Sequence, residues 1–521
     1  MRGRSKTSLV LFLLLFGHLA LLSCLKYSAL HSTYFDFGLY LNNFSKIATG
    51  EWWQVFFVHV MPLLLFWSWL YHFFPPDFFP IIILCAQAAF LAWPVGALYR
   101  HYGALPALAF FLYFPLWYNA LFDFHMDHLA VGLLFGFFFL EKSGRVWTAV
   151  SLALLLALVK EPFALQTASC GLYLLLIRKQ KWPGIILILA GFFYFFVAAN
   201  YLAIFFSFGI RGEPDWQTFS EMGGSIGGIL WFIVTKPYLV LKDILSDGGK
   251  IRYLIYIFGA LGFIPLLRPG ILVVALPVMA IALLSKVGNH SGLFYHYTAG
   301  LIAPLTIAFS EALPSARKYW SRLNFPKALF GPLLLIWLLI MHIKMAPSPI
   351  GLVFWNKDSW AYSYQAYIPT FRDKMIKQAI HLHVPSDPEV AVSTQNTLNW
   401  GTLAHRKYYF AYPNGAFQPY KINKGFDRPL TGLWNFMITH EVTGINTDEV
   451  WADYVVLDLK RLWYIGDEGC SWKNGQCKNN AEFSSRFLAL VQKTKEHFDT
   501  VFQKDEFYIL KQKTSQKEIP N

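Results

Sequence analysis

The chain has 521 residues, 55% of them hydrophobic and 18% aromatic, and charged side chains occupy only 14% of its positions. Soluble domains carry about 25% charged residues, so this composition excludes an ordinary soluble protein, a disordered chain, a collagen-like repeat and a disulfide-framework mini-protein. The net charge of +13 would suit a nucleic-acid partner, but its distribution points to a polytopic membrane protein with no nucleic-acid partner. Residues 1–344 hold 24 Lys/Arg against 13 Asp/Glu, and residues 345–521 hold 20 against 18. The excess falls in short clusters between apolar runs, which is the positive-inside pattern.

A membrane helix needs about 20 mostly apolar residues. The first run, Leu9–Leu25, follows Arg2, Arg4 and Lys6, which places the N-terminus in the cytoplasm. It reads as a span rather than a signal ending at Cys24, because Leu22-Ser23 is a poor lipobox and more spans follow. Further runs near 78–99, 105–121, 128–140, 147–159, 162–177, 184–207, 252–267, 270–285, 298–312 and 327–343 bring the expected number of spans to about eleven. Alternating them puts Arg100, Lys142/Arg145, Arg178/Lys179/Lys181, Arg268 and Arg317/Lys318/Arg322/Lys327 on the inner side. The loops 27–77 and 208–251 then lie outside. Within them, 57–74 and 227–245 read as interfacial helices, the second interrupted by Lys236-Pro237.

The expected division is a transmembrane part, 1–344, and an extracytoplasmic α/β domain, 345–521. In the tail, Phe371–His383 has helical periodicity, while 389–393, 454–458 and 506–510 read as strands. Cys24, Cys85 and Cys170 belong to apolar runs and read as core fillers. Cys470 and Cys477 flank a Gly/Asn turn, and an oxidising compartment would close them into a disulfide.

Ionisable groups are costly in hydrocarbon, so clusters of them at span ends stand out. Under the topology above, five converge on the outer side: Tyr34-Phe-Asp36-Phe-Gly-Leu-Tyr40, Val58-His59-Val-Met-Pro62, Phe122-Asp123-Phe-His125-Met-Asp127-His128, Lys160-Glu161-Pro162 and Tyr295-His296-Tyr297. Each has a structural alternative when taken alone. Asp36 could cap the next helix, and Asp127 and His128 could be ordinary first-turn residues favoured by the helix dipole. Lys160-Glu161 could be a hairpin charge pair, and His296 a belt residue. Together, on one face of an acid-poor bundle, they form a candidate site. A divalent cation is the one cofactor they suggest, with Asp36, Asp123 and His125 as its candidate ligands.

The same motifs, in this order, resemble the bacterial membrane-protein family known as domain of unknown function 2079, over roughly residues 30–310. That family in turn resembles the GT-C glycosyltransferases. The resemblance implies a GT-C-like helical bundle in the bacterial cytoplasmic (inner) membrane that moves a sugar from a polyprenyl-phosphate donor to an extracytoplasmic acceptor. Asp36 matches the catalytic acid, and the second acid of an acidic pair is absent, because Tyr34 and Gly38 occupy the flanking positions. Glu161 is the second candidate for the reaction. His59, Asp123, His125, Lys160, Tyr295, His296 and Tyr297 are candidates to hold the substrate. Inverting transfer by one direct displacement is the mechanism expected. The rival readings are an inert membrane scaffold and a lipid or solute transporter.

Overall fold

The computed structural model describes residues 2–56, 59–206, 217–286, 288–413, 415–416, 452–461, 472–473, 476–477 and 480–513. Helix α1, Arg2–Ser28, rises about 1.5 Å per residue and so has the reach of a bilayer core. Leu15, Leu19 and Leu22 on one face are buried, while Leu9, Leu13 and Leu21 on the other are about half exposed. A helix that is apolar all round yet half uncovered by protein suits a lipid surround. A short π-helical turn, Tyr34–Gly38, runs into α2, Leu39–Ala48, and α3 is Leu64–Tyr71. The core then continues through α4, Phe79–Tyr102, α5, Ala104–Leu112, α6, Phe114–Phe122, α7, His128–Lys142, and α8, Val146–Ala157. It is completed by α9, Glu161–Leu172, and α10, Lys181–Val197, and by the later helices Ala299–Arg322 and Phe330–Met345.

Helical structure occupies all eleven places where spans were expected, but length and composition single out fewer. Among the described residues, five helices are long and apolar enough to cross a membrane: Ser5–Ser28, Phe79–Tyr102, Lys181–Phe205, His296–Arg322 and Lys327–Met345. The pair α5 and α6, bent by 48°, makes a sixth if it counts as one span. The break falls at Tyr113, whose backbone is extended just ahead of Pro115 in the first turn of α6. The others are shorter, and length and composition alone do not single them out as spans. A helix of 12 residues such as α8 rises about 18 Å against a hydrocarbon core of about 30 Å. Of the two stretches read as interfacial, 57–74 holds, among its described residues, only the eight-residue α3, and 227–245 is itself divided in two. Ile226–Thr235 and Pro237–Ser246 are separate helices of ten residues broken at Lys236.

Near the C-terminus lies a five-stranded sheet. Its strands are β1, Val392–Thr394, β2, Tyr409–Ala411, β3, Tyr454–Asp458, β6, Phe498–Lys504, and β7, Phe507–Gln512, in the order β2-β1-β3-β7-β6. The first three are parallel, and β7 runs antiparallel to β3 and β6. A two-stranded ribbon joins β4, Trp472–Lys473, to β5, Gln476–Cys477. The helix Phe371–His383 forms as the periodicity predicts. It opens with a capping box between Thr370 and Asp373 and buries Ile376, Ala379 and Ile380. The first strand begins at Val392 rather than 389, because Asp387 starts a turn there that bonds the Glu389 amide. The expected Cys470–Cys477 pairing lies outside the described residues. Cys24, Cys85 and Cys170 are free thiols within the helical core, as read.

The loops of the sheet are seated on the connection from α1 to α2. Tyr34 N–H donates to Asn396 O at 2.9 Å, and its hydroxyl donates to Tyr409 O at 2.8 Å. The Asn42 amide donates to Ala404 O and Arg406 O at 2.9 and 2.7 Å, and Trp400 stacks on Tyr27. A Cβ on Gly38 would lie 3.0 Å from Asn399 Oδ1, so the turn that carries Asp36 tolerates little bulk on that side.

Candidate functional site

Asp36 sits inside the π-helical turn, a form that recurs at functional positions because the extra residue re-aims a side chain. The helix-capping alternative does not describe it, since Gly38, the N-cap of α2, has no side-chain cap. Its Oδ2 accepts from the Thr33 hydroxyl at 3.1 Å, and its Oδ1 lies 3.2 Å from His125 Nε2. The carboxylate is 25% exposed whereas His125 is buried, so Asp36 is the rim of this group and His125 its floor.

His125 belongs to the connection between α6 and α7. Its Nδ1 lies 3.2 Å from Asp127 Oδ2 and 3.3 Å from the Tyr40 hydroxyl. Asp127 precedes α7, but its side chain does not cap the helix. It turns to His125 instead and to Lys160, whose Nζ is 3.7 Å from Asp127 Oδ2. Asp36, His125, Asp127 and Lys160 therefore form one continuous chain of charge and hydrogen bonds. Burial alone would push the His125 imidazole toward its neutral form, but the two carboxylates outweigh it and raise its pKa. Burial would likewise raise Asp127, but Lys160, His296 and His125 hold it well below the usual carboxylate range.

The fifth motif completes the group. The His296 ring lies parallel to that of His125, with centroids 3.5 Å apart and planes at 13°. Tyr297 packs on His296 at 4.3 Å, and Tyr295 meets Phe122 edge-on at 5.3 Å. Glu161, at the start of α9, accepts from Val60 N–H at 3.1 Å, and its other oxygen is 2.6 Å from His59 Nδ1. His59 is 35% exposed, the most open side chain of this pair.

Asp123 stands to one side. It accepts from the Ser32 hydroxyl at 2.8 Å and from Thr33 N–H at 3.0 Å, and Lys26 Nζ is 3.6 Å away. Burial, reinforced by nearby Asp36, raises its pKa against the pull of Lys26. Because Lys26 also donates to the carbonyls of Leu121 and Phe122, this pair ties the end of α1 to the end of α6. Among the described residues, the donors that gather closely enough to share an ion are His125, Asp127 and His296, all within 4.8 Å of one another. The set expected from the sequence was Asp36, Asp123 and His125.

The sequence placed Asp127 and His128 in the third cluster and Tyr40 in the first without choosing them as site residues, and Thr33 went unmarked. The signal for Asp127 was the repeat of acid and imidazole through Asp123, His125, Asp127 and His128. Hydroxyls such as those of Thr33 and Tyr40 leave no comparable trace in an aromatic-rich chain.

No curated protein matches the chain. A family described as "Predicted membrane protein (DUF2079)" matches residues 26–425, which takes in all five motifs and the first two strands of the sheet. The chain belongs to this family of predicted membrane proteins.

Proposed function

We propose that the protein is a membrane glycosyltransferase that moves a sugar from a polyprenyl-phosphate donor to an acceptor hydroxyl at the outer face of the bacterial cytoplasmic membrane. The observation that carries this reading is the partly exposed Asp36 carboxylate backed by His125 and Asp127. A carboxylate at the rim of a buried relay can take a proton from a bound hydroxyl, while the imidazole behind it stabilises the charge. The acceptor oxygen then attacks the anomeric carbon as its proton passes to Asp36. The bond from that carbon to the phosphate oxygen breaks on the opposite side, and the phosphate leaves with the electron pair. One displacement inverts the anomeric centre.

Negative charge grows on the departing phosphate and needs fixed donors. His59 is the open donor candidate beside the relay, and Glu161 is the positioning residue that orients it. Lys160, His296, Tyr295 and Tyr297 line the same region. The carrier chain has apolar helix faces to lie against, such as that of α10, where Phe193 is 71% exposed. In this reading all eleven helical segments cross the membrane, the short ones sheltered among the long. The N-terminus is then cytoplasmic, and residues 345–521 form an outer domain.

Membranes containing the wild-type chain should transfer labelled sugar from at least one member of a panel of polyprenyl-phosphate sugars. Asp36→Asn should lower that transfer by roughly 10²–10⁴-fold with folding intact. Transfer that survives the substitution, or no transfer by folded wild-type protein from any donor, contradicts the proposal.

A further inference from the structure

We infer that His125, Asp127 and His296 form a binding site for a divalent transition-metal ion of the zinc class. All three side chains are buried, and each offers a donor atom within 4.8 Å of the other two. The His296 ring, stacked on that of His125, turns about its Cβ–Cγ bond to aim a nitrogen at the ion, which replaces the proton between His125 and Asp127. His125 Nδ1 and Asp127 Oδ2 are 3.2 Å apart, close to the ~3.3 Å between two donors on a tetrahedral ion with bonds of about 2.0 Å.

Two further features point to a ligand. Nδ1 of His296 is buried with no hydrogen-bond partner, and an orphaned buried nitrogen is costly unless something binds it. The other nitrogen of His125, Nε2, faces Asp36 Oδ1 at 3.2 Å. An imidazole on a metal usually gives its free N–H to a carboxylate in this way, which fixes its tautomer and orientation. Two imidazoles and one carboxylate select zinc, cobalt or iron over magnesium or calcium, which prefer all-oxygen sets. Lys160, 3.7 Å from Asp127 Oδ2, and His128, whose ring centroid is 6.3 Å from that of His125, are the neighbours that complete the surroundings.

The inference concerns occupancy, so it stands or falls separately from the reaction proposed above. The full chain, purified in detergent and dialysed against metal-free buffer with added Zn²⁺, should retain about one ion per chain by mass spectrometry of the metal. Chelation should lower its thermal midpoint, and Zn²⁺ should restore it. His296→Gln and Asp127→Asn should abolish retention, and Asp36→Asn should weaken affinity by roughly 10–100-fold. Should the buried variants fail to fold, the wild type loaded with Co²⁺ reads the ligands directly, because pulsed electron paramagnetic resonance should detect two coupled imidazoles. No retained ion in folded wild type, unchanged retention in both folded ligand variants, or fewer than two coupled imidazoles would overturn the assignment.

Discussion

Arg372 meets Asp458 through two parallel hydrogen bonds of 2.7 Å, and the Asp458 side chain is fully buried. Breaking a buried pair strands the remaining charge, which costs about 3–5 kcal/mol. Arg372→Ala should therefore lower the thermal midpoint of the purified protein clearly, and an unchanged midpoint would mean that Arg461, also 3.5 Å from Asp458, suffices. At the candidate site the two principal carboxylates should separate kinetically. In the proposed reaction Asp36 touches the acceptor, so Asp36→Asn should depress kcat. Glu161 acts through His59, so Glu161→Gln should chiefly raise the KM for the donor. Equal effects on kcat would put Glu161 in direct contact with the reacting atoms. Charged residues of this kind were legible in the sequence because an apolar chain makes each one conspicuous. Their pairing was not, since Asp123 and Asp127 look alike until Ser32, Thr33 and Lys26 are seen to engage only the first.

Between α9 and α10 the backbones approach so closely that only glycine fits. A Cβ on Gly191 would lie 2.5 Å from Ala164 O and 2.6 Å from Ala168 N, and one on Gly171 would lie 2.6 Å from Gly184 O. Small residues allow this kind of contact between membrane helices. Gly191→Val should destabilise the protein by about 1–3 kcal/mol, whereas Gly17→Ala, with nothing within 4 Å of the new carbon, should leave the melting curve almost unmoved. Similar shifts for the two would mean that the helices separate at little cost. The positions of the helices were legible from apolar runs, and their lengths were not. An apolar run continues through a turn such as that at Phe263, with φ of 58°, where the helix itself stops. The strands at 454–458 and 506–510 were readable as short apolar runs, but the parallel pairing of β3 with β1 depends on a crossover that local pattern does not encode.

At the scale of the whole molecule, five motifs spread from Tyr34 to Tyr297 come together where the loops of the C-terminal sheet meet the turn carrying Asp36. The basic clusters lie away from this meeting point along the chain, so the site and the sheet should share the outer side. A reporter enzyme that folds only outside the cytoplasm, fused after residue 513, should be active, and one fused after Lys142 should be silent. The reverse result would place the site in the cytoplasm and remove the basis for an outer-face donor. In the proposed reaction Asp36 and His125 work as one unit. Its most direct test is labelled-sugar transfer by the wild type, Asp36→Asn, His125→Gln and the double variant. Residues that act together lose activity non-additively, so each single change should cost most of the rate and the double should fall no further than the worse single. Losses that multiply in the double variant, or a single variant that transfers at the wild-type rate, would contradict the relay.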